Sequence, residues 1–237
     1  MNLTKLLKIN GQAIGLSSEE VRLNLFTPGR ALFVINSEKP VSGIVSYSLG
    51  HDPQKLTPFF LGYIESSTEH NEQQQRVFCR ELTATLNTKI VLSLRGNTLT
   101  ETLQHVGDFS GLTFVTSKQP YATRRAPTVY WNSNGYHFMD SLANTYGIEK
   151  HIWQQQGDGK IFVGSYKDSF WNGKKTEVET KWFSSVSIAN KASLPAIPKL
   201  RPGIVINDKY LIEVRQHGNM MDITLESRPW SVRSWKN

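Results

Sequence analysis

Residues 134–164, NGYHFMDSLANTYGIEKHIWQQQGDGKIFVG, decide the reading of this chain. Tyr136, Met139, Leu142, Ala143 and Tyr146 fall at helical spacing, and Gly147 is a stop signal. A strand is expected next, around Ile152, and Ile161 and Val163 lead out of the glycine-rich GDGK in a second strand. Asp158-Gly159 accepts positive φ at low cost, so a two-residue hairpin turn between 152–156 and 160–164 is expected. GDGK fails as a phosphate loop because no helix follows it. It fails as a calcium loop because it has one acid where a regular array is needed.

The same unit occurs upstream. In GNTLTETLQHVGDFSGLTFVT, residues 96–116, Thr98 and Glu101 make a capping box. Leu99, Leu103 and Val106 follow at helical spacing, Gly111 is the C-terminal stop, and LTFVT reads as a strand. Helix, glycine and strand therefore recur twice, as an α+β module.

The flanks read as β structure. VRLNLFTPGRALFVIN, residues 21–36, is a hairpin with Val21, Leu23 and Leu25 on one face, a Pro28-Gly29 turn, and Leu32 with its neighbours beyond. VSGIVSYSLG follows with Ile44, Tyr47 and Leu49 as its apolar positions. HDPQK is a loop, and LTPFFLGYIESS and QQRVFCREL are two more strands. Beyond the module, Asn172-Gly173 marks a turn and SLPAIPKLRPG, residues 193–203, reads as a Pro-rich linker. GIVIND, KYLIEVRQH and MMDITLE then alternate as a meander, turning at Asn207-Asp208 and Gly218-Asn219. The expected class is mainly β, a barrel or sandwich, with an α+β insertion. The expected divisions are 1–82, 83–168 and 169–237, the first and last forming one β region.

At 237 residues, 38% hydrophobic and 20% charged, the chain is long enough for one large domain or two smaller ones. No apolar run approaches the roughly 18 residues of a membrane span. The opening MNLTKLLKINGQAIG lacks the apolar core and cleavage site of a signal peptide. A single cysteine, Cys79, excludes an internal disulfide framework and fits a reducing compartment. The net charge is +7, and residues 169–237 hold eleven Lys/Arg against six Asp/Glu, so most of the excess lies there. That excess reads as a surface for an acidic partner or nucleic acid, or as an ordinary solvated β face, and no Lys/Arg run of the nucleic-acid type occurs.

The sequence carries no recognisable catalytic constellation. WNGKKT has Asp168 and Lys175 where a Walker A loop needs Gly and Ser/Thr, and reads as a hairpin. His51, His70, His105, His137, His151 and His217 form no i,i+4 pair, and no zinc ligand set exists. No G-x-S-x-G elbow occurs, and Cys79 alternates with Val77 as a small core residue. Nothing singles out the carboxylate pairs Glu19/Glu20 or Glu177/Glu179 for glycosidase work. No enzymatic role, cofactor or metal is expected. The tail RPWSVRSWKN interleaves Arg228, Trp230, Arg233 and Trp235, which read as a surface that stacks bases or docks a partner, or as a terminal strand with a half-buried Trp face. Trp131, Trp153, Trp171 and Trp182 read as packing residues.

FFLGYIESS…QRVFCREL, LSLRGNTLTETLQHVGDFSGLTFV, NGYHFMDSLANTYGI and HIWQQQGDGKIFVGS follow one another in an order that resembles the baseplate hub proteins of tailed bacteriophages, of the tail protein D type. The resemblance covers about residues 40–220. It implies β-barrel domains like those of the tail tube, closing a ring as a homotrimer, with a smaller α+β domain inserted between barrel segments. It implies a virion protein, assembled in the host cytoplasm, that joins distal tail and tail-tube proteins above to a central spike or fibre below. The tape-measure protein is a further implied partner, and DNA passes through the lumen. No catalytic residues carry over. The alternative readings are a tail-associated cell-wall hydrolase or carbohydrate-binding module and, for the helical piece alone, a secretin-like ring module.

Overall fold

The computed structural model describes residues 3–179, 183, 185–187 and 190–231. The chain divides into two compact units, Met1–Glu81 with Gly173–Asn237, and Leu82–Asn172. The second unit runs past the expected limit at 168. Trp171 is buried in it, its indole Nε1 donating to Gln154 Oε1 at 2.7 Å.

The first unit begins with β1 (Thr4–Ile9), β2 (Gln12–Ile14), β3 (Leu16–Asn24), β4 (Arg30–Asn36), β5 (Ile44–Gly50), β6 (Thr57–Asn71) and β7 (Gln74–Glu81). Period-2 alternation puts Val21 and Leu23 of β3, Phe33 and Ile35 of β4, Tyr47 and Leu49 of β5, and Val77 and Cys79 of β7 into one core. Two expected positions are corrected. Leu32 and Ile44 are exposed, and Ala31, Phe33 and Val45 point inward instead. A one-residue change of parity exchanges the faces, and an apolar side chain does not itself reveal which face it occupies.

The second unit opens with a 3₁₀ turn, Leu82–Leu86, followed by β8 (Lys89–Asn97), α1 (Leu99–Ser110), β9 (Phe114–Val115), α2 (Pro120–Thr123), β10 (Ala126–Asn134), α3 (Gly135–Tyr146), β11 (His151–Gln155) and β12 (Ile161–Ser165). Thr98 caps α1: its Oγ1 accepts from Glu101 N–H at 3.2 Å, and its own N–H donates to Glu101 Oε2 at 2.8 Å. Gly111 and Gly147 end α1 and α3 at φ 72° and 69°. Leu99, Leu103, Val106, Phe138, Met139 and Leu142 form the heart of a separate core. β11 pairs antiparallel with β12, and β9 joins β12 in parallel. The β8–β10 antiparallel pair is an element that the sequence reading did not anticipate.

The chain then returns to the first unit through β13 (Lys175–Thr176), β14 (Ser185–Ser187), β15 (Lys191–Pro195), β16 (Val205–Ile206), β17 (Lys209–His217) and β18 (Met220–Glu226). β17 pairs with β3 from Glu213↔Asn24 to His217↔Glu20, so the two segments share one 13-stranded sheet. Its order is β14-β15-β18-β17-β3-β4-β7-β6-β5-β1-β2, with β16 also pairing with β17 and β13 pairing with β16. Two expectations in this region are corrected. WNGKKT is no hairpin, because β13 pairs in parallel with β16, some thirty residues on. Residues 193–203 are no linker: β15 pairs with β18, and Leu194, Ala196, Leu200 and Arg201 are buried. Pro195 sits at the end of its strand, where proline is tolerated, and does not signal solvent.

The sheet rolls on itself. β17 and β5 lie five strands apart, which on a flat sheet is about 24 Å. Yet the Tyr47 hydroxyl of β5 donates to Gln216 Oε1 of β17 at 3.2 Å. Lys5 of β1 likewise reaches Glu19 of β3, also five strands away, at 2.7 Å. Register shifts in the β3–β4, β5–β6, β6–β7 and β17–β18 pairs supply local bending. Among the described residues no helix is long and apolar enough to cross a membrane.

Candidate assembly surfaces

The GDGK loop is a turn, with a three-residue loop where two were expected. Gln156 N–H donates to Lys160 O at 2.7 Å, and Gly159 N–H donates to Gln156 O at 3.0 Å. Gly157, Asp158 and Gly159 therefore span the loop, with Gly159 alone at positive φ, 87°. Flanking Asp158 by two glycines lets one extra residue enter the turn. The Asp158 carboxylate accepts from Lys160 N–H at 3.1 Å and pairs with the Lys160 ammonium at 3.2 Å, which spends it on its own turn.

Of the four tail residues, the structure describes two. Trp230 stands edge-on to Tyr210 of β17 at 5.1 Å and to Phe26 of the β3–β4 loop at 6.0 Å, half-buried within the first unit. Arg228 is exposed. Arg233 and Trp235, like Trp182 and Lys181, lie outside the described residues. Trp153 is buried in the second unit, and Trp131 is half-buried there.

The titratable groups do not converge. Among the described residues no three His, Cys, Asp or Glu side chains could hold one metal ion. Glu19 and Glu20 leave β3 on opposite faces. The Glu19 side chain turns inward, only 5% exposed, accepting from Lys5 and from Gln216 Nε2 at 2.9 Å, while Glu20 pairs outside with Arg215 at 2.7 Å. His151 is buried with Nε2 2.9 Å from Met139 O. The Cys79 thiol is fully buried, and burial pushes it up to about 12, away from nucleophilic chemistry.

One buried charge pair escaped the sequence reading. Glu81, at the last position of β7, is fully buried, and burial pushes its carboxyl up to about 7. Arg201 Nη2 lies 3.9 Å from it, and Gly29 N–H donates to its Oε2 at 2.6 Å. Arg201 also donates to Phe59 O at 2.5 Å and stacks over the Phe59 ring. The signal was present, since Gln75, Val77, Cys79 and Glu81 keep one inward parity along β7. Arg201 therefore does not belong to the basic surface of the last third, whereas Lys174, Lys175, Lys191 and Lys199 are exposed.

The exposed features are thus surfaces. The second unit displays Val91 and Tyr130, each 67% exposed, and has a cleft of about 690 Å³ between α1 and the 111–118 segment. No protein-family model matches the sequence. A 43 kDa tail protein of prophage MuSo2 from Shewanella oneidensis superimposes with a TM-score of 0.72 at 10% identity, over 94% of this chain and 98% of that one. This is the fold of phage tail proteins. An Escherichia coli type VI secretion component, described as structurally similar to the T4 tail proteins gp27 and gp5, superimposes with a TM-score of 0.62 at 11% identity. That match covers 93% of this chain and 76% of the other. In sequence, the chain is 26% identical over 219 residues, 92% of its length, to an uncharacterized 58.7 kDa protein from the lys 3′ region of Haemophilus phage HP1. It spans 41% of that longer phage protein.

Proposed function

We propose that the chain is a structural subunit of a phage tail, placed in the baseplate hub, where three copies close a ring around a channel. The observation that carries this is the end-to-end match to a prophage tail protein, 94% of one chain on 98% of the other. The likeness to a protein described as similar to gp27 and gp5 favours the hub over other tail positions. The rolled sheet adds a physical reason. It ends on short strands, β2 and β14, and exposed edges are covered most economically by repeated, closed contacts between copies. In this reading the first unit forms the ring and the second is carried as an insertion. Tail-tube proteins and the tape-measure protein lie above, a spike or fibre lies below, and DNA passes through. Arg228, Trp230, Arg233 and Trp235 remain candidates for contacting a neighbour.

Obligate ring contacts of this kind bury on the order of 2,000 Å² or more. A lumen that lets DNA slide carries few cations, because each phosphate contact releases counterions and holds the DNA. Lys174, Lys175, Lys191 and Lys199 are accordingly expected away from the channel. Light scattering on the purified chain tests the assembly. A mass of three chains, lost when contact residues are reversed in charge, supports it, and a monomer at every concentration, alone or with its tail neighbours, overturns it.

A further inference from the structure

We infer that the outer edge of β8 is a strand-acceptor site that takes an acidic, extended segment of a partner protein. The ribbon of β8 and β10 is a two-stranded sheet on its own, each strand nine residues long, so each has one edge without a strand partner among the described residues. The register tells which backbone groups face that edge. Gly135 N–H donates to Thr88 O at 2.9 Å, so the 88/135 pair is hydrogen-bonded. In an antiparallel ladder such pairs alternate with non-bonded ones. Asn132↔Val91, Tyr130↔Ser93 and Thr128↔Arg95 are therefore non-bonded pairs, and the N–H and C=O of Val91, Ser93 and Arg95 point away from β10.

The same parity sets the side chains. Ile90 and Leu92 face the core of the second unit, while Lys89, Val91, Ser93 and Arg95 are exposed on the other face, beside Tyr130 of β10. The edge thus offers a row of main-chain groups flanked by one apolar and two cationic side chains. Main-chain pairing gives a strand affinity, and alternate side chains give it selectivity.

Charge selects the occupant. Residues 82–100 and 109–139 contain no Asp or Glu, and they carry Lys89, Arg95, Lys118, Arg124 and Arg125. Arg125 leans over the end of β8, donating to Gly96 O, and reaches Glu101 at 3.5 Å. A second copy of this chain pairing antiparallel through β8 brings Lys89 and Arg95 of both copies onto one edge with no acid to answer them, and sets Lys89 opposite Arg95 when Val91 meets Ser93, which like-charge repulsion disfavours. An incoming strand with acids six residues apart, opposite Lys89 and Arg95, and an apolar residue opposite Val91 satisfies all three. A nucleic acid meets only the two cations and leaves the alternating N–H and C=O groups of the edge unanswered. The site stands on the ribbon alone and holds or fails independently of the ring.

The probe is a strand peptide with glutamates six residues apart and a valine between, added to the full-length protein and followed by amide NMR and hydrogen exchange. The expected result is protection of the Val91, Ser93 and Arg95 amides, weakened about tenfold by Arg95→Glu. Ser93→Pro removes an outward N–H and leaves the bonded β8–β10 pairs intact, so it also abolishes protection. If Ser93→Pro does not fold, the Arg95→Glu comparison decides alone. Equal binding of the same peptide with lysine for glutamate, tighter binding of a single-stranded oligonucleotide on this edge, or no protection at millimolar peptide overturns the proposal.

Discussion

The two units hold together over different sequence distances. In the second, each helix is fixed within its own neighbourhood: Thr98 and Glu101 are three residues apart, and β11 turns into β12 through one short loop. In the first, the closing contacts join residues made at opposite ends of the chain. Gln216 meets Glu19 across 197 positions, and Arg201 meets Phe59 across 142. Local contacts cost little loop entropy and form early, whereas the rolled sheet closes only once its last strands are available. The second unit is therefore expected to tolerate local damage as a local loss. The first is expected to lose its cooperative fold when a closing contact is cut.

The largest break is at Arg201. Arg201→Ala leaves Glu81 buried without its cation and frees the Phe59 carbonyl. At pH 8, where Glu81 is mostly charged, urea unfolding of the first unit is expected to lose about 3–5 kcal/mol. A loss comparable to that of a surface arginine contradicts the assignment.

Glu81 sharpens the same contrast through pH. In the fold its carboxyl sits at about 7, above its ordinary 4.5, chiefly because it is buried. The folded state therefore keeps a proton that the unfolded chain releases between those values. That contribution is fully present below pH 4.5 and is lost as the pH rises through 7, about 3 kcal/mol in all. Glu81→Gln removes the titration. The stability difference between wild type and variant is expected to change across pH 4.5–7 and to level off above it, and parallel pH curves exclude the effect.

Smaller effects are expected in the second unit. Gly159→Val forces a β-branched residue to φ 87° and is expected to cost about 1–3 kcal/mol. Thr98→Ala removes one cap bond and costs about 1 kcal/mol. Hydrogen exchange on both variants is expected to speed amides of residues 82–172 and leave the β3–β17 ladder unchanged. Loss of protection in both units together means that they do not open separately.

The same difference in distance explains what the sequence disclosed. Caps, glycine stops and the Asp158-Gly159 turn are local chemistry, legible within a few residues. Face assignment was legible for Val21, Leu23, Tyr47 and Leu49 but not for Leu32 or Ile44, where the neighbouring position is also apolar. The prolines of residues 193–203 suggested a linker because the strand that β15 pairs with, β18, lies far along the chain, Leu194 meeting Met221 and Pro195 meeting Met220. β8 and β10 carried period-2 signals at Ile90/Leu92 and Val129/Trp131, overshadowed by the helices beside them. The pairing of Glu81 with Arg201 is tertiary, and only the inward parity of Glu81 announced it. For the assembly surfaces, composition gave the basic excess but not which cations are surface groups.

In the proposed ring, sequence-distant closure of the first unit supplies the wall that three copies share. A cryo-EM map of the tail tip carrying this protein tests it most directly. Three copies of the rolled sheet are expected around the axial channel, with Lys174, Lys175, Lys191 and Lys199 outside the lumen. Single copies off the axis, or a channel lined by those lysines, contradict it.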